Sequence, residues 1–315
     1  MSQLRLSVSP HIKSKRNTQS IMLDVIIALM PTLAAASYLF GLRSLLLTAV
    51  SVVTCVGAEL IYQKAMKKPV TISDLSAVVT GILIAFNVPY GLPIWQLMVA
   101  DIAAIIVAKQ LFGGIGCNFM NPALVGRIVL MFSFAANMTT YTYPANGVDV
   151  LSSATPLVVM NQLQLSDLPT LLFGNYGGVI GETCAITLLI GGVYLCVRKV
   201  IKPIIPLVGF ASLTIFTWAF GGDMPLLAIF SGGAMLGYIF MATDYVTSPY
   251  TNKGKVIYAI FIGFINALIR VFGNYAEGMT FAILLGNILV PYINELSEKK
   301  VLGAIYPSKK KKEAK

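Results

Sequence analysis

A glycine-rich segment with two asparagines is the first stretch of the chain whose residue types could bind a ligand. Residues 113–127 have the sequence GGIGCNFMNPALVGR, in which Asn118 and Asn121 follow three glycines. Glycine lets the backbone approach a ligand closely, and asparagine offers the donors and acceptors that a planar heterocycle with carbonyl and N–H edges requires. The same residues also suit a plain loop, because Asn121 followed by Pro122 is a strong helix start. Both interpretations stand on these residues alone.

A Ser/Thr-rich stretch farther along the chain is a second candidate site. Residues 149–156 have the sequence DVLSSATP. Such a stretch usually forms a turn, because its hydroxyl groups bond nearby backbone and proline stops regular structure. This one, however, is a small polar motif in a chain that is otherwise mostly apolar, and function concentrates in loops.

Four acidic residues lie in or beside long apolar runs: Asp24, Asp101, Glu182 and Asp244. If the runs are membrane spans, a charge there is costly unless it faces a cavity or pairs, so these acids are candidates for ion or proton handling. Interhelical hydrogen bonding is the alternative, and Glu182 could also interact with a helix dipole. We take Glu182 and Asp244 as the ion-coupling candidates. Arg127 and Arg270 are candidate partners of the acids or binders of an anionic group.

Metal and haem chemistry have little support in the sequence. The chain has one histidine, His11, and four cysteines without CxxC spacing. A single imidazole cannot supply the pair of ligands for a membrane b-type haem, and cysteines in apolar runs behave as small hydrophobic residues. We therefore expect no metal site.

Composition places these residues in a membrane. Of the 315 residues, 57% are hydrophobic and 11% are charged, and the mean hydropathy is +0.79. These values lie far outside the averages of soluble proteins and predict an all-α integral membrane protein without a separate soluble domain. The net charge of +10 does not indicate a nucleic-acid partner, because the basic residues lie between apolar runs.

Ten apolar runs predict about ten transmembrane helices. The runs lie at 19–40, 42–63, 74–88, 93–112, 121–137, 179–198, 203–220, 224–243, 255–273 and 278–296. An offset of 160 residues places Phe112-Gly113 on Phe272-Gly273, and Gly126 on Gly286. Because five is odd, two five-helix repeats in tandem have opposite orientations in the bilayer, as in inverted-repeat transporters. Similarity that arises only from apolar composition is the alternative.

The basic residues predict the orientation of the chain. Of the 23 Lys and Arg, 19 lie in segments that are cytoplasmic if residues 1–18 are cytoplasmic and there are ten spans. Basic residues concentrate on the cytoplasmic side of membrane proteins. The chain therefore divides into a cytoplasmic segment 1–18, repeats at 19–137 and 179–296, an extracytoplasmic loop 138–178 and a basic cytoplasmic tail 297–315.

Four blocks in a fixed order indicate a family. They are GGIGCNFMNPALVGRIVL at 113–130, SSATP at 152–156, GGVIGET at 177–183 and the segment 241–291 that begins MATDYVTSP. Together they resemble the D subunit of the Rnf complex (RnfD family) and, more distantly, the B subunit of the Na⁺-translocating NADH:quinone reductase. The resemblance covers most of the chain and implies a urea-transporter-like fold of ten helices in two inverted five-helix repeats.

The resemblance implies a covalent flavin in the loop. Relatives attach FMN through its phosphate to the threonine of a D-x-x-[ST]-x-A-T type motif. That threonine corresponds here to Thr155, which the resemblance implies would carry the phosphoester. The recognition sequence would be Asp149, Ser152, Ser153 and Ala154, with Ser153 where glycine is usual.

The resemblance also implies a second, noncovalent flavin at the riboflavin level. It maps onto the Gly/Asn segment, at Asn118 and Asn121. Arg127, in the same block, completes the set of candidate cofactor-binding residues.

The function implied by the resemblance is electron transfer. The chain would be a subunit of an ion-pumping ferredoxin:NAD oxidoreductase in a prokaryotic cell membrane, a redox-driven translocase, and not catalytic alone. The implied partners are other membrane subunits, a flavin-bearing G-type subunit, a cytoplasmic subunit with the NAD site and a flavin transferase. The alternatives are a B-type quinone-reductase subunit, which is usually longer at its N-terminus, and a channel or transporter without flavin.

Overall fold

The structure, a computed structural model, describes residues 17–142, 152–153, 165–174, 176–222, 225–273 and 278–298. These residues are mostly helical. The helices before residue 142 are α1 (Thr18–Phe40), α2 (Leu42–Ala65), α3 (Ser76–Phe86), α4 (Ile94–Ala103), α5 (Pro122–Ser133) and α6 (Ala135–Met138). A 3-10 turn, Ile72–Asp74, precedes α3, and a π-helical segment, Ala104–Gln110, continues α4.

The second half of the described chain is also helical. Its helices are α7 (Leu168–Phe173), α8 (Ala185–Val197), α9 (Ile204–Ala219), α10 (Leu227–Phe230), α11 (Ala234–Leu236), α12 (Asn252–Phe272) and α13 (Met279–Ser297). A 3-10 turn, Leu165–Asp167, precedes α7, and a π-helical segment, Gly237–Met241, follows α11. Two short antiparallel strands, β1 (Tyr141–Thr142) and β2 (Ser152–Ser153), pair between the halves of the sequence.

Within the described ranges, four helices are long and apolar enough to cross a membrane: α1, α2, α12 and α13. Several other apolar helices are shorter, among them α3, α5, α8 and α9. The prediction of an all-α, multi-pass membrane protein is confirmed in these terms. Each of the ten predicted apolar runs contains helix, but the third run holds only the 11 residues of α3, and the eighth is broken between α10 and α11.

Two buried loops, one after α3 and one before α8, bond to each other. The amides of Ile180 and Gly181 donate to the carbonyls of Val88 (3.2 Å) and Phe86 (2.9 Å). A Cβ atom on Gly181 would collide with the side chain of Phe86, so only glycine permits this approach. The contact joins the first half of the chain to the second.

Helices α1 and α8 also connect the two halves. A side chain at Gly191 in α8 would collide with the carbonyl of Ala28 in α1. Near one end of this interface, the carboxylate of Asp24 accepts hydrogen bonds from Tyr194 (3.1 Å) and from Arg198, whose Nη2 lies 3.1 Å away. The close approach and the ion pair fix α1 against α8.

Two glycines that align at the 160-residue offset both lie at tight contacts between helices. A Cβ atom at Gly126 of α5 would lie 3.0 Å from the carbonyl oxygen of Ala100 in α4. A Cβ atom at Gly286 of α13 would lie 2.9 Å from the ring of Tyr258 in α12. Small residues let membrane helices pack closely, and both glycines are used in this way.

We predict that Gly126→Val destabilises the folded chain by about 1–3 kcal/mol, because the added methyl groups overpack the α4–α5 contact. Gly57→Val is the matched control, since Gly57 lies in α2 and a Cβ atom there would meet nothing within 4 Å. Thermal unfolding of the purified protein in detergent measures both variants. Equal melting temperatures for the two variants would show that the α4–α5 approach is not tight.

Candidate functional site

A cleft lies between elements of the two halves of the chain. Its volume is about 820 Å³, including the part that is open to the outside. The wall from the first half consists of α1, α3, Lys109 and the loop before α5, and the opposite wall includes Leu195, Phe240 and the residues from Thr243 to Val246. Like ligand clefts in other proteins, this cleft is lined mainly by apolar side chains with a few polar groups.

The glycine-rich loop has the backbone conformation that its sequence requires. Gly113, Gly114 and Gly116 have φ angles of +120°, +95° and +86°. These values lie in the left-handed region, where any other residue is strained. The loop ends at Asn121, whose Oδ1 accepts a hydrogen bond from the amide of Ala123 at 3.0 Å. The predicted helix start at Asn121-Pro122 is confirmed.

Asn118 and Asn121 both line the cleft, but their side chains differ in how many of their polar atoms are hydrogen-bonded within the protein. The Nδ2 group of Asn121 donates to the carbonyl of Met241 (3.3 Å), so both polar atoms of its side chain are used within the protein. The Nδ2 group of Asn118 donates to the carbonyl of Met120 (3.1 Å), whereas its Oδ1 accepts no hydrogen bond from the described residues. Asn118 therefore offers the cleft an acceptor, and Asn121 holds the loop against the π-helical segment Gly237–Met241.

Lys109 is a cleft residue that the sequence analysis did not assign to a site. Its Nζ lies 2.9 Å from the carboxylate of Glu59 and 2.6 Å from Oγ of Ser76. Lys109 lies in the π-helical segment Ala104–Gln110, which directs its side chain toward α2 and α3. Lys109 is also one of the residues that line the cleft. The ion pair holds a positive charge at the cleft wall. A lysine inside the predicted run 93–112 was the signal in the sequence.

Asp244 lies on the opposite side of the cleft. Its carboxylate accepts hydrogen bonds from the amide of Val246 (3.2 Å) and from the hydroxyl of Thr247 (3.2 Å). These local bonds stabilise the turn after the π-helical segment. They also leave the carboxylate among the cleft-lining residues. The structure thus brings Asp244, Asn118 and Asn121 together at one cleft.

Glu182 lies in a separate buried group, which we term the Glu182 cluster: Asn87, Arg127, Glu182 and Gly233. Arg127 donates from Nη1 to Oδ1 of Asn87 (2.6 Å), and Oε1 of Glu182 accepts from the amide of Val179 (3.4 Å). A Cβ atom at Gly233 would lie 3.3 Å from Oε2 of Glu182 and 3.5 Å from Nη1 of Arg127. Arg127 therefore neighbours an acid and is not among the residues that line the cleft.

Arg270 acts at the break between α10 and α11. Its guanidinium donates to the carbonyls of Ala228 (2.6 Å) and Ser231 (3.0 Å). These carbonyls lie at the end of a helix, where intrahelical partners are missing. Its positive charge also attracts Glu182. The arginine thus stabilises the helix break next to the Glu182 cluster.

The candidate attachment motif lies partly outside the described residues. Asp149, Ala154 and Thr155 are not described, whereas Ser152 and Ser153 form β2. Ser153 pairs with Tyr141 and Ser152 with Thr142. Tyr141 is buried, and Glu182 and Arg127 both act electrostatically on it. The pairing therefore brings the backbone of the motif toward the Glu182 cluster.

Comparison with known proteins identifies the family. The model of the NQR2, RnfD, RnfE family matches residues 5–303. The chain is 45% identical, over the full length of both proteins, to the D subunit of the Na⁺-translocating ferredoxin:NAD⁺ oxidoreductase complex of Acetobacterium woodii. It is 36% identical to the D subunit of the proton-translocating ferredoxin:NAD⁺ oxidoreductase complex of Clostridium ljungdahlii, over 95% of this chain and 96% of that protein. It is 34% identical to the D subunit of the ion-translocating oxidoreductase complex of Erwinia tasmaniensis, over 95% of this chain and 98% of the relative. The chain belongs to the NQR2, RnfD, RnfE family.

Proposed function

We propose that the chain is the D subunit of a membrane-bound, ion-translocating ferredoxin:NAD oxidoreductase complex and transfers electrons within it. The observation that supports this best is the 45% identity to such a protein over the full length of both chains. The partners are the other subunits of the complex: further membrane subunits, a flavin-bearing G-type subunit and a cytoplasmic subunit with the NAD site. The B-type quinone-reductase subunit and a flavin-free transporter remain the alternatives.

We propose that FMN is attached through its phosphate to Thr155. A phosphoester uses the hydroxyl group and leaves the isoalloxazine ring free for one-electron or two-electron chemistry. The support is the motif from Asp149 to Thr155 and the pairing of Ser152 and Ser153 with β1, next to the Glu182 cluster. A flavin transferase would install the group.

The cleft is the proposed site of a second, noncovalent flavin. Its apolar lining suits the faces of a planar ring, and the polar groups at its wall suit the ring's edge. The unpartnered Oδ1 of Asn118 can accept from a ring N–H, and Lys109 holds a positive charge at the wall opposite Asp244. Asn121 would position the loop rather than bind the ring.

We also propose the ten-span inverted repeat, with repeats at 19–137 and 179–296 around the loop 138–178. The repeat is supported by Gly126 and Gly286, which align at the 160-residue offset and make tight contacts with α4 and α12, respectively. With residues 1–18 and 297–315 cytoplasmic, Thr155 lies outside the cytoplasm.

This orientation predicts that a cysteine at position 146 reacts with an impermeant thiol reagent added to intact cells. Protection of that cysteine from the reagent would contradict the orientation.

An electron path across the bilayer can exchange energy with an ion gradient. Moving one charge across the membrane is worth about 2.3 kcal/mol per 100 mV. We propose Glu182 and Asp244 as ion-coupling residues, because both carboxyl groups lie at the candidate sites and neither is in an ion pair within 4.0 Å in the described part of the chain.

The attachment proposal predicts that Thr155→Val removes the covalent flavin. Valine has nearly the same shape but no hydroxyl to esterify, so the protein should still insert and assemble. The measurement is flavin fluorescence of the band on a denaturing gel. Thr139→Val is the matched control, because Thr139 lies before the motif and should keep the signal. Fluorescence that survives in Thr155→Val would refute the assignment, and no fluorescence in the parent would favour the transporter.

The cleft proposal predicts that Asn118→Leu lowers the noncovalent flavin content of the purified complex at least several-fold. Leucine removes the free acceptor while it fills a similar volume. The flavin released by acid precipitation measures the content, and the Thr155 fluorescence should remain. Asn252→Leu, at an exposed helix start, is the control. Unchanged flavin release in Asn118→Leu would place the second flavin elsewhere.

The coupling proposal predicts that Glu182→Gln or Asp244→Asn lowers ion uptake per electron and retains the Thr155 flavin. Each amide keeps the hydrogen-bonding shape of the acid without its charge. Ferredoxin-driven NAD reduction and ion uptake are measured together in vesicles. If rate and stoichiometry are unchanged in both variants, neither acid takes part in coupling.

A further inference from the structure

Asp101 is a fully buried acid without a cationic partner. It lies in α4 with 0% exposure, and Oδ1 is 2.7 Å from Oγ of Ser51 in α2. Its Oδ2 accepts no hydrogen bond, and no Lys, Arg or His of the described residues forms an ion pair with it. An ionised carboxylate in the apolar interior needs such partners, so the surroundings of Asp101 favour the neutral acid.

Glu59, two turns farther along the same face of α2, has the opposite environment. Its carboxylate accepts hydrogen bonds from Lys109 (2.9 Å), Gln110 (2.6 Å) and Gln63 (3.4 Å). A positive charge and two amides compensate its negative charge. Two buried acids at the same face of α2 thus have different surroundings. Glu59 has a cation and two amide donors, whereas Asp101 has, among the described residues, only the neutral donors Ser51 and Cys55.

The hydrogen bonds of Ser51 indicate where a proton lies. Its Oγ is 2.7 Å from Oδ1 of Asp101 and 2.9 Å from the carbonyl oxygen of Gly81 in α3. A hydroxyl has one hydrogen and cannot donate fully to both oxygens. If Asp101 is protonated, its O–H donates to Ser51 and the Ser51 O–H donates to Gly81, so both contacts contain a hydrogen. If Asp101 is ionised, the single Ser51 hydrogen can lie in only one of the two short contacts, and the other contact has no hydrogen between its oxygens.

We propose that Asp101 is an intramembrane proton-binding site, which holds a proton in the oxidised protein and exchanges it when charge moves through the complex. On release, the O–H bond of Asp101 breaks, the proton leaves to a neighbouring hydrogen-bonding group or water, and the carboxylate keeps the electron pair. The Ser51 hydroxyl then turns its hydrogen from Gly81 to Oδ1 of Asp101. Rebinding reverses both steps. The link to electron transfer rests on the proposed function, whereas the bound proton does not.

The packing around Asp101 favours a proton over a metal cation. A Cβ atom at Gly81 would lie 2.8 Å from the Cα atom of Val52, so α2 and α3 are in direct contact beside the carboxyl group. A hard cation such as Na⁺ needs several oxygen ligands arranged around it. Among the described residues, Ser51 is the one oxygen-bearing side chain that hydrogen-bonds to Asp101, and Oδ2 has no hydrogen-bond partner. A proton needs no such space.

One face of α2 provides hydrogen-bonding groups on both sides of Asp101. The buried residues along it, spaced by three or four positions, are Ser44, Thr48, Ser51, Cys55, Glu59 and Gln63. Side chains at this spacing share one helix face. The thiol of Cys55 lies beside Asp101, and Glu59 follows about 12 Å from Ser51 along the helix axis. The face leads from the proposed proton site toward the charged pair of Glu59 and Lys109.

Infrared spectroscopy of the assembled complex in reconstituted membranes tests the proposal. The carbonyl stretch of a protonated carboxyl group is measured in the oxidised and reduced states, in H₂O and in D₂O. The variants are Asp101→Asn, which can still donate to Ser51, and Asp101→Glu, which keeps an acid. Glu298→Gln, an exposed acid at the end of α13, is the matched control.

We expect a carboxyl band in the parent that shifts in D₂O and changes on reduction, is lost in Asp101→Asn, is displaced in Asp101→Glu and is retained in Glu298→Gln. A band that persists in Asp101→Asn, or that is identical in both redox states, would overturn the proposal. Loss of the parent band on adding Na⁺ would identify a cation site instead. In Thr155→Val the oxidised-state band must remain, which separates failure of this proposal from failure of the flavin assignment.

Discussion

Buried backbone that is not helical must find hydrogen-bond partners within the protein, and the rest of this structure depends on how that requirement is met. In a membrane, irregular backbone is tolerated only where other protein groups satisfy it. Here α3 ends after 11 residues, and the loop that follows it bonds to the loop before α8 through the carbonyls of Phe86 and Val88. Each loop therefore needs the other half of the chain. The contact also fixes Asn87, and through it Arg127, beside Glu182.

The sequence predicts the helices better than it predicts their interruptions. Apolar runs and the Asn121-Pro122 start depend on local composition and capping, so they could be recognised without tertiary contacts. The π-helical segments could not, because a change from i→i+4 to i→i+5 bonding leaves no clear periodic signal over a few residues. For that reason the orientation of Lys109 toward Glu59 and the cleft was not predicted.

The sequence indicated polar residues that the structure places at the cleft, but not the hydrogen bonds that each of them makes. The sequence identifies Asn121 as a helix start, but only the structure shows that Oδ1 of Asn118 has no hydrogen-bond partner among the described residues. Thr155 stays a prediction from the motif, since it lies outside the described residues. Arg127 is a different case: its partner Asn87 comes from a loop 40 positions earlier, so no local pattern indicates the contact.

Buried charges of the described chain lie both at the cleft and in the Glu182 cluster. At the cleft, Lys109 is paired with Glu59, so the pair has no net charge, but the ammonium group lies at the wall. Because both halves of the chain form the walls of the cleft, a change in the ligand's charge acts on α1 and α3 from one side and on Asp244 from the other. A ligand shifts a conformational equilibrium only through its differential affinity for two states. If a flavin binds in the cleft as proposed, negative charge added on reduction would be attracted by Lys109 and repelled by Asp244, so reduction would favour a conformation in which Asp244 lies farther from the ligand.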